Sequence, residues 1–248
     1  MQTECQFLCC ESFLGWFGFA FNAKHVICGC LGAATATELL NELRAKAADL
    51  CVSAGPVEWA ALTSFVERLH ARMSPRESRT FPASRFYVLD PRFPPSPAVD
   101  NLTDLSTSQR QLPNQLTSLL QEYLAGRPVE FSSIPVDLSR CSPFVRRVLE
   151  ACRSIPYGET RSYKQLAESV GHPLASRAVG QALGRNPVPL LIPCHRVIST
   201  SGRLCGFTAR GGLAIKARLL EWEAQHRPYG QSLPPRSPNS PATWNEKS

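Results

Sequence analysis

The sequence predicts an α/β protein of the α+β type, in which a small N-terminal domain of strands and helices precedes a mainly helical C-terminal domain. Apolar segments on either side of Asn22-Ala23-Lys24 are typical of a β-hairpin, and a helix with leucines on one face is expected next, at 37–49. Residues 74–113 contain seven prolines and no sustained periodicity, a composition typical of a linker. Beyond them, short helical segments that end at glycines follow one another, which indicates a second, helical domain.

These patterns divide the chain into five regions. They are an N-terminal α/β region at 1–73, a Pro/Ser-rich linker or insertion at 74–113, a connecting helix and loop at 114–137, a second domain at 138–226 and a disordered tail at 227–248. The first region includes a second helical stretch at Val57–Met73, and the linker includes one short strand at Arg85–Leu89. The sequence leaves open whether 51–112 is a true insertion or only a long linker.

The positive charge of the chain is concentrated in the predicted second domain. Residues 1–137 carry 11 Lys/Arg against 14 Asp/Glu, whereas residues 138–227 carry 14 against 5, a net charge of +9. A basic domain favours a polyanionic partner, most simply nucleic acid, although many basic domains bind none. The apolar run Phe13–Phe21 is too short for a membrane span of roughly 20 residues, and no basic residue precedes it, so neither a membrane nor a signal peptide is expected.

Ten cysteines are scattered through the chain, and reduced thiols are expected because disulfide frameworks are typical of small secreted domains. Six potential metal ligands lie close together near the N-terminus: Cys5, Cys9, Cys10, His25, Cys28 and Cys30. Thiolates with histidine suit zinc, but the spacings do not form paired CxxC ligands. Free thiols are therefore the expectation, with structural zinc as the alternative, and no metal or other cofactor is predicted.

Two short helices in the basic region are expected to form a helix-turn-helix. The first, Ser162–Val170, stops at Gly171, His172-Pro173 makes the turn, and the second helix covers Leu174–Gly184. Such a pair binds DNA in many proteins, but two short helices joined by a turn also serve purely structural roles. A final helix is predicted at Leu213–Gln225.

The motif with the clearest chemistry is Pro193-Cys194-His195-Arg196-Val197, which follows an apolar run bracketed by prolines. A cysteine reacts as its thiolate, and its free pKa of about 8.5 must be lowered by a neighbouring base or positive charge. His195 and Arg196 are both candidates for that role. Taken alone, Cys194 could equally be one more small buried residue. The glycines that follow lack the spacing of a phosphate-binding loop.

Five motifs in residues 143–223 stand in a characteristic order and spacing. They are GETRSY at 158–163, RAVG at 177–180, NPVP at 186–189, IPCHRV at 192–197, and GGL at 211–213 with Leu219-Leu220 and Glu223. This segment, about a third of the chain, closely resembles the O6-alkylguanine-DNA alkyltransferases, or methylated-DNA–protein-cysteine methyltransferases. Residues 15–48 more faintly resemble the ribonuclease-H-like N-terminal domain of that family. The resemblance implies that fold for the first domain and a helix-turn-helix in the second.

The resemblance also implies an activity, which is repair of DNA by direct reversal. An alkyl group, such as methyl, would pass from O6-alkylguanine in double-stranded DNA to Cys194, with O4-alkylthymine as a further candidate substrate. The thioether product is stable, so each molecule is expected to act once, without a cofactor and as a monomer. The compartment would be the cytoplasm of a bacterium or the nucleus of a eukaryote.

The residues that carry these roles in the family match ten positions here. The catalytic set is Cys194, His195, Glu223 and Asn186, and the set that contacts DNA or the base is Tyr163, Arg177, Ala178, Gly180, Val197 and Thr208. Glu223 would orient and polarise His195, and a water would bridge His195 to the sulfur. Because His195 and Glu223 suffice to activate the thiol, Arg196 is expected to brace the loop. Asn186 would form a hydrogen bond with the backbone of the loop before the cysteine. The structural alternatives are a position on a solvated helix face for Glu223 and a role as a helix-ending residue for Asn186.

The target atom lies inside a duplex, so its base must leave the stack. By resemblance, Tyr163 would crowd the neighbouring phosphate and bond the flipped base, while Arg177 would fill the vacated space. A simple phosphate contact is the alternative for Arg177. Ala178 and Gly180 would let the second helix approach a narrow minor groove.

Some positions depart from the family. Phe207-Thr208 followed by Ala209-Arg210 replaces a common Tyr-Ser before the paired glycines, and Ser176 and Gln181 replace common alanine and glycine. Three rival functions follow from the same residues: a non-catalytic helix-turn-helix regulator, a lesion-sensing protein without chemistry, and a cysteine hydrolase. Cys194 argues against the second, and the adjacency of Cys194 and His195 argues against the third.

Overall fold

The computed structural model describes residues 5–48, 64, 86–89 and 107–227. Its strands are β1 (Gln6–Ser12), β2 (Gly15–Phe21), β3 (Val26–Ala33), β4 (Phe86–Leu89), β5 (Arg161–Ser162) and β6 (Val197–Ile198). Its helices are α1 (Ala36–Ala48), α2 (Thr107–Leu124), α3 (Pro143–Arg153), α4 (Tyr163–Ser169), α5 (Ser176–Leu183) and α6 (Gly212–Gln225). Most of the helix predicted at Val57–Met73, and the tail after residue 227, lie outside the described residues. The chain forms two compact units, one from 1–125 with 133–138 and one from 126–132 with 139–248.

The first unit contains a four-stranded antiparallel sheet in the order β3-β2-β1-β4. The predicted hairpin is confirmed as β2 and β3. The Oδ1 atom of Asn22 accepts hydrogen bonds of 2.8 Å from the backbone N–H groups of Lys24 and His25, which closes the turn. The strand predicted at Arg85–Leu89 is also confirmed, as β4.

Strand β1 was not predicted, and it lies between β2 and β4 in the sheet. Its sequence, QFLCCES, contains no β-branched residue, so the usual composition of a strand is absent. Pairing on both edges nevertheless satisfies its backbone groups, and six of its seven residues are buried. Burial of these residues therefore selects the strand where propensity does not.

Helix α1 packs on the sheet through its leucines. Leu39, Leu40 and Leu43 are fully buried in one apolar cluster with Trp16 and Cys28. The expectation of a mixed strand-and-helix domain before a helical one is confirmed.

The N-terminal cysteines serve mainly as core residues. Burial raises the pKa of Cys9 to about 12 and that of Cys28 to about 11. In the described part of the chain, no three His, Cys, Asp or Glu side chains are grouped as metal ligands. The expectation of reduced thiols throughout is wrong at Cys5, which is disulfide-bonded, whereas the remaining cysteines of the described ranges are free.

Helix α2 begins at Thr107, earlier than the start expected at Asn114, so the predicted linker extends too far. Pro113 suggested a boundary because proline disfavours the interior of a helix. The helix continues through it, and Leu116, Leu120 and Tyr123 are fully buried on one face. Burial of that face offsets the hydrogen bond lost at the proline.

The second unit contains the predicted helix-turn-helix. The side-chain oxygen of Ser142 accepts from the backbone N–H of Val145 at the start of α3, as expected from Ser142-Pro143. Ser162 and Gln165 form a capping box at the start of α4. The second helix of the pair, α5, starts at Ser176 and not at Leu174, because the residues before it form a β-turn.

The last elements of the unit hold the cysteine motif. Residues Cys194–Arg196 form one 3₁₀ turn, followed by β6, which pairs in parallel with β5. Helix α6 starts after Gly211, whose φ of 83° lies in the left-handed region that favours glycine. None of the helices in the described ranges is long and apolar enough to cross a membrane.

Candidate active site

Cys194 is buried at the N-terminal end of its 3₁₀ turn, with 8% of its surface exposed. The loop that leads to it is tied by Asn186, whose Nδ2 donates to the carbonyl of Ile192 at 2.9 Å and to Sγ of Cys194 at 3.1 Å. Oδ1 of Asn186 accepts from the backbone N–H of Val188 at 3.1 Å. One side chain therefore fixes both the loop and the sulfur.

The surroundings of Cys194 act on its pKa in opposite directions. Burial is the largest influence and raises the pKa of the thiol above its ordinary value. The hydrogen bond from Asn186, the positive charge of Lys216 and the backbone N–H groups of Cys194 and His195 lower it. The groups that oppose burial all favour the thiolate, the form that reacts.

His195 and Glu223 form a buried pair behind the cysteine. Nε2 of His195 lies 2.8 Å from Oε1 of Glu223, and the two side chains are 0% and 1% exposed. The backbone N–H of Gly158 donates to Oε2 of Glu223 at 3.1 Å. The other ring nitrogen, Nδ1 of His195, is buried and has no hydrogen-bond partner among the residues that the structure describes.

Arg196 is the permanently charged partner of Glu223. Its Nε donates to Oε2 at 2.9 Å and its Nη2 to Oε1 at 3.1 Å, a two-pronged contact, and its Nη1 donates to the carbonyl of Ile155 at 2.5 Å. Its guanidinium also lies 5.7 Å from the ring centre of Tyr157. Arg196 therefore braces the cysteine loop and neutralises the carboxylate.

These contacts decide the charge states of the pair. Burial raises the pKa of Glu223, but His195 and Arg196 outweigh it and hold that pKa at about 2. Burial lowers the pKa of His195, more than the carboxylate raises it. We therefore assign a neutral imidazole, with Glu223 neutralised by Arg196. Because a carboxylate only accepts, Nε2 of His195 carries the proton, and Nδ1 keeps a free lone pair that can act as a base.

Lys216 belongs to this site although the sequence analysis did not include it. The side chain is fully buried on α6, and its Nζ donates to the carbonyls of Val197 at 2.6 Å and Cys205 at 3.0 Å. Burial lowers its own pKa, while nearby Cys194 raises it. A signal existed in the sequence, because Lys216 stands seven residues before Glu223 and hence on the same helical face.

A cavity of about 500 Å³ opens beside Cys194. Its wall comes from α5, from Tyr163 and from the loop before α6: Tyr163, Ser176, Arg177, Gly180, Gln181, Leu183, Gly184, Cys194, Cys205, Gly206, Phe207 and Thr208. A size of this order suits a small-molecule group such as a nucleobase. Cys194 lines the cavity, whereas His195 and Glu223 are buried and are not among its lining residues.

The predicted contact residues divide between this wall and the interior. Tyr163, Arg177, Gly180 and Thr208 line the cavity. Val197 does not, and its side chain is fully buried, so its predicted contact with DNA or the base stays a prediction. Ala178 is half-buried on α5 without reaching the cavity wall.

Tyr163 and Arg177, which both line the cavity, differ in their hydrogen bonding. The hydroxyl of Tyr163 donates to the carbonyl of Cys205 at 2.9 Å, and burial raises its pKa to about 12, so it remains a donor. Arg177 is exposed and makes no hydrogen bond or ion pair with any described residue. At Gly180, an added Cβ would lie 3.6 Å from the Tyr163 ring, an ordinary contact, so internal packing does not require glycine there.

The part of the sequence that forms most of the cavity wall carries only positive charges. No Asp or Glu stands between Glu168 and Glu221, a stretch that contains six arginines and one lysine. Arg196 and Lys216 are buried, but the other five arginines of the stretch are exposed, and a surface with this charge attracts phosphate groups.

Comparison with known proteins finds similarity in the segment that contains this site. The family model "6-O-methylguanine DNA methyltransferase, DNA binding domain" matches residues 143–225, which are the first residue of α3 and the last of α6. A methylated-DNA–protein-cysteine methyltransferase of Mycolicibacterium paratuberculosis is 51% identical over 114 residues, which are 46% of this chain and 67% of the relative. The constitutive enzyme of that name from Bacillus subtilis is 44% identical over 120 residues, 48% of this chain and 71% of the relative.

The chain belongs to the family of methylated-DNA–protein-cysteine methyltransferases. The crystal structure of Mycobacterium tuberculosis O6-methylguanine methyltransferase extends the likeness beyond the matched segment. It is 27% identical, covers 89% of this chain and 93% of the other, and has a TM-score of 0.52. The methyltransferase fold is therefore shared outside the helical unit as well.

Proposed function

We propose that this methyltransferase repairs DNA by moving an alkyl group from the O6 atom of guanine in a duplex to Sγ of Cys194. The observation that carries the assignment to this residue is the position of Cys194, which lines a cavity large enough for a base and adjoins a histidine whose pKa is lowered by burial. Relatives named for transfer from methylated DNA to a protein cysteine support the reaction class.

The proton of the thiol is the first to move. In our proposal it passes through one water to the free lone pair on Nδ1 of His195, and Glu223 stabilises the imidazolium that forms. The hydrogen bond from Asn186 and the charge of Lys216 stabilise the thiolate, and these are the groups that lower the pKa of Cys194.

The thiolate then attacks the alkyl carbon. A carbon–sulfur bond forms as the carbon–O6 bond breaks, and the electron pair leaves with O6. The imidazolium returns its proton through the solvent, so guanine regains its neutral form and His195 its free lone pair. A thioether is chemically stable, and none of the described residues that line the cavity can cleave it, so we expect one transfer per molecule.

Access to O6 requires that the base leave the duplex and enter the cavity. Arg177 is exposed at the cavity edge without an internal partner, which suits insertion into the space that the base vacates. The hydroxyl of Tyr163 would give up its hydrogen bond to the carbonyl of Cys205 and donate to the base or its phosphate instead. Gly180 has room for a Cβ inside the protein, so the lack of a side chain there favours close approach of DNA from outside.

The partner is double-stranded DNA, which fits the long stretch without acidic residues. We propose that a monomer suffices, because a single chain supplies every residue of the site. The working compartment would be the one that holds the DNA, the cytoplasm in a bacterium or the nucleus in a eukaryote.

The deciding experiment supplies duplex DNA with one labelled O6-methylguanine and measures label on the protein. We expect one methyl group per molecule, located by mass spectrometry on the peptide that contains Cys194, and none on Cys194→Ala. Cys205→Ala is the matched control, since Cys205 lines the same cavity, and it should still accept methyl. Tight binding of methylated DNA without label would favour the lesion-sensing alternative, and label on Cys205 would contradict the assignment.

A further inference from the structure

Leu174 is the most exposed large apolar side chain of the described residues, with 99% of its surface exposed. Single exposed leucines are common on protein surfaces, and Leu213, at 46%, is an example. The position of Leu174 makes it different. It lies in the turn of the helix-turn-helix, three residues before Arg177.

The turn that carries Leu174 is ordered by its own bonds. Gly171 adopts a φ of 79°, and the backbone N–H of Ala175 donates to the carbonyl of His172 at 2.9 Å. Pro173 and Leu174 are the two central residues of this β-turn, and proline is favoured at the first of them. The turn therefore presents Leu174 outward as a defined feature.

Contacts with α3 hold the same turn in place. The ring of His172 lies 5.5 Å from that of Phe144 in an edge-to-face arrangement, and its Nε2 is 3.4 Å from Nη2 of Arg147. A rigid turn loses little conformational freedom when a partner binds to it.

The neighbours of Leu174 indicate what covers it. Ser176 and Arg177 follow directly and line the cavity beside Cys194. Arg147 is exposed near the turn, and the chain has no acidic residue from Leu174 to Glu221. An apolar tip with Arg147 close to its turn and Arg177 on the helix that follows suits a nucleic acid, whose phosphates meet the arginines while its sugar carbons and base edges meet the leucine.

We propose that Leu174 is an apolar contact to DNA, which packs against the minor-groove edge of the duplex next to the flipped nucleotide. The proposal rests on the function proposed above, because it takes DNA as the partner and α5 as the helix that approaches it. Leu174 positions Arg177 and the duplex, and it takes no part in the chemistry.

Binding and transfer are measured separately to test this. The probes are a duplex with one O6-methylguanine, the same duplex without the lesion, and free O6-methylguanine base. Leu174→Ala should weaken binding to both duplexes about fivefold, as expected for partial loss of apolar burial. Its salt dependence should match wild type, because no phosphate contact is removed. Reaction with the free base should be unchanged.

Two further variants sharpen the result. Leu213→Ala, the matched control, should bind like wild type. Leu174→Lys should bind with a salt dependence steeper by about one ion, since it adds a phosphate contact. Thermal unfolding of each variant checks the fold, and an exposed turn residue should leave the melting temperature unchanged.

Several outcomes would overturn the proposal: wild-type affinity in Leu174→Ala, an equal loss in Leu213→Ala, or an equal loss with free base. Loss of self-association with unchanged DNA binding would assign Leu174 to a second copy of the chain instead. If wild type binds the duplexes but never accepts methyl, the proposed function fails, while the binding data still decide the role of Leu174.

Discussion

His195 donates its Nε2 proton to Oε1 of Glu223 across 2.8 Å, and the same carboxylate receives two bonds from Arg196 and one from Gly158. Four donors thus converge on one buried carboxylate, which fixes the tautomer of His195. Glu223, which lies 28 residues away in the sequence, therefore determines that Nδ1 is the unprotonated ring nitrogen of His195. In the mechanism that we propose, this nitrogen is the base that receives the proton of Cys194.

Replacing Glu223 by Gln should reduce both stability and transfer. The change leaves the guanidinium of Arg196 buried without its counter-charge, and breaking a buried pair in this way typically costs about 3–5 kcal/mol. The amide can also bond the other tautomer of His195, so the lone pair on Nδ1 is no longer assured. We expect a lower free energy of unfolding in denaturant and a transfer rate reduced at least about 100-fold.

The same pair gives a pH dependence of stability. The pKa of Glu223 is held at about 2 in the folded protein, below its ordinary value near 4.5. The contribution of the ionised Glu223 carboxylate to the free energy of unfolding is therefore complete above pH 4.5 and is lost as the pH falls towards 2. Glu223→Gln should show a weaker loss of stability over that window than wild type. Parallel acid unfolding curves for the two proteins would contradict the depressed pKa.

Replacing Lys216 by Gln should slow transfer and change its pH profile. The positive charge of Lys216 lowers the pKa of the Cys194 thiol, so its removal should raise that pKa further. We expect the rate with free O6-methylguanine base to fall about tenfold at neutral pH and to recover as the pH rises. A uniform loss at every pH would indicate that Lys216 only connects the carbonyls of Val197 and Cys205.

Lys216 also illustrates what the sequence could and could not predict. Cys194, His195 and Arg196 are adjacent, so their joint role could be predicted from local sequence and family resemblance. The role of Lys216 depends on which face of α6 is buried, and the charged residues Arg218 and Glu221 on the same helix obscure that face. Strand β1 and the start of α2 were missed for a related reason: tertiary burial outweighs poor strand propensity in β1 and Pro113 in α2.

Replacing Arg177 by Ala should separate base flipping from chemistry. Arg177 has no internal partner in the described structure, so its loss should leave the fold and the reaction with free base intact. Repair of duplex DNA should slow by about 10-fold or more, as expected when a side chain no longer fills the vacated space. Single-turnover kinetics on both substrates provide the measurement, and equal losses on the two would rule out the flipping role.

Replacing Gly180 by Ala should raise stability while it lowers repair. Glycine inside a helix is destabilising by about 0.5–1 kcal/mol relative to alanine, and the added Cβ would lie at an ordinary 3.6 Å from the ring of Tyr163. The free energy of unfolding should therefore rise. The same methyl group would narrow the cavity wall where, in our proposal, α5 approaches the duplex, so affinity for duplex DNA should fall. Gly15→Ala in strand β2 is the contrasting control: its φ of 80° disfavours a side chain and an added Cβ would lie 2.9 Å from the carbonyl oxygen of Ala33, so stability should fall there without a loss of affinity. Increased stability with unchanged DNA affinity in Gly180→Ala would show that this position of α5 does not approach the duplex.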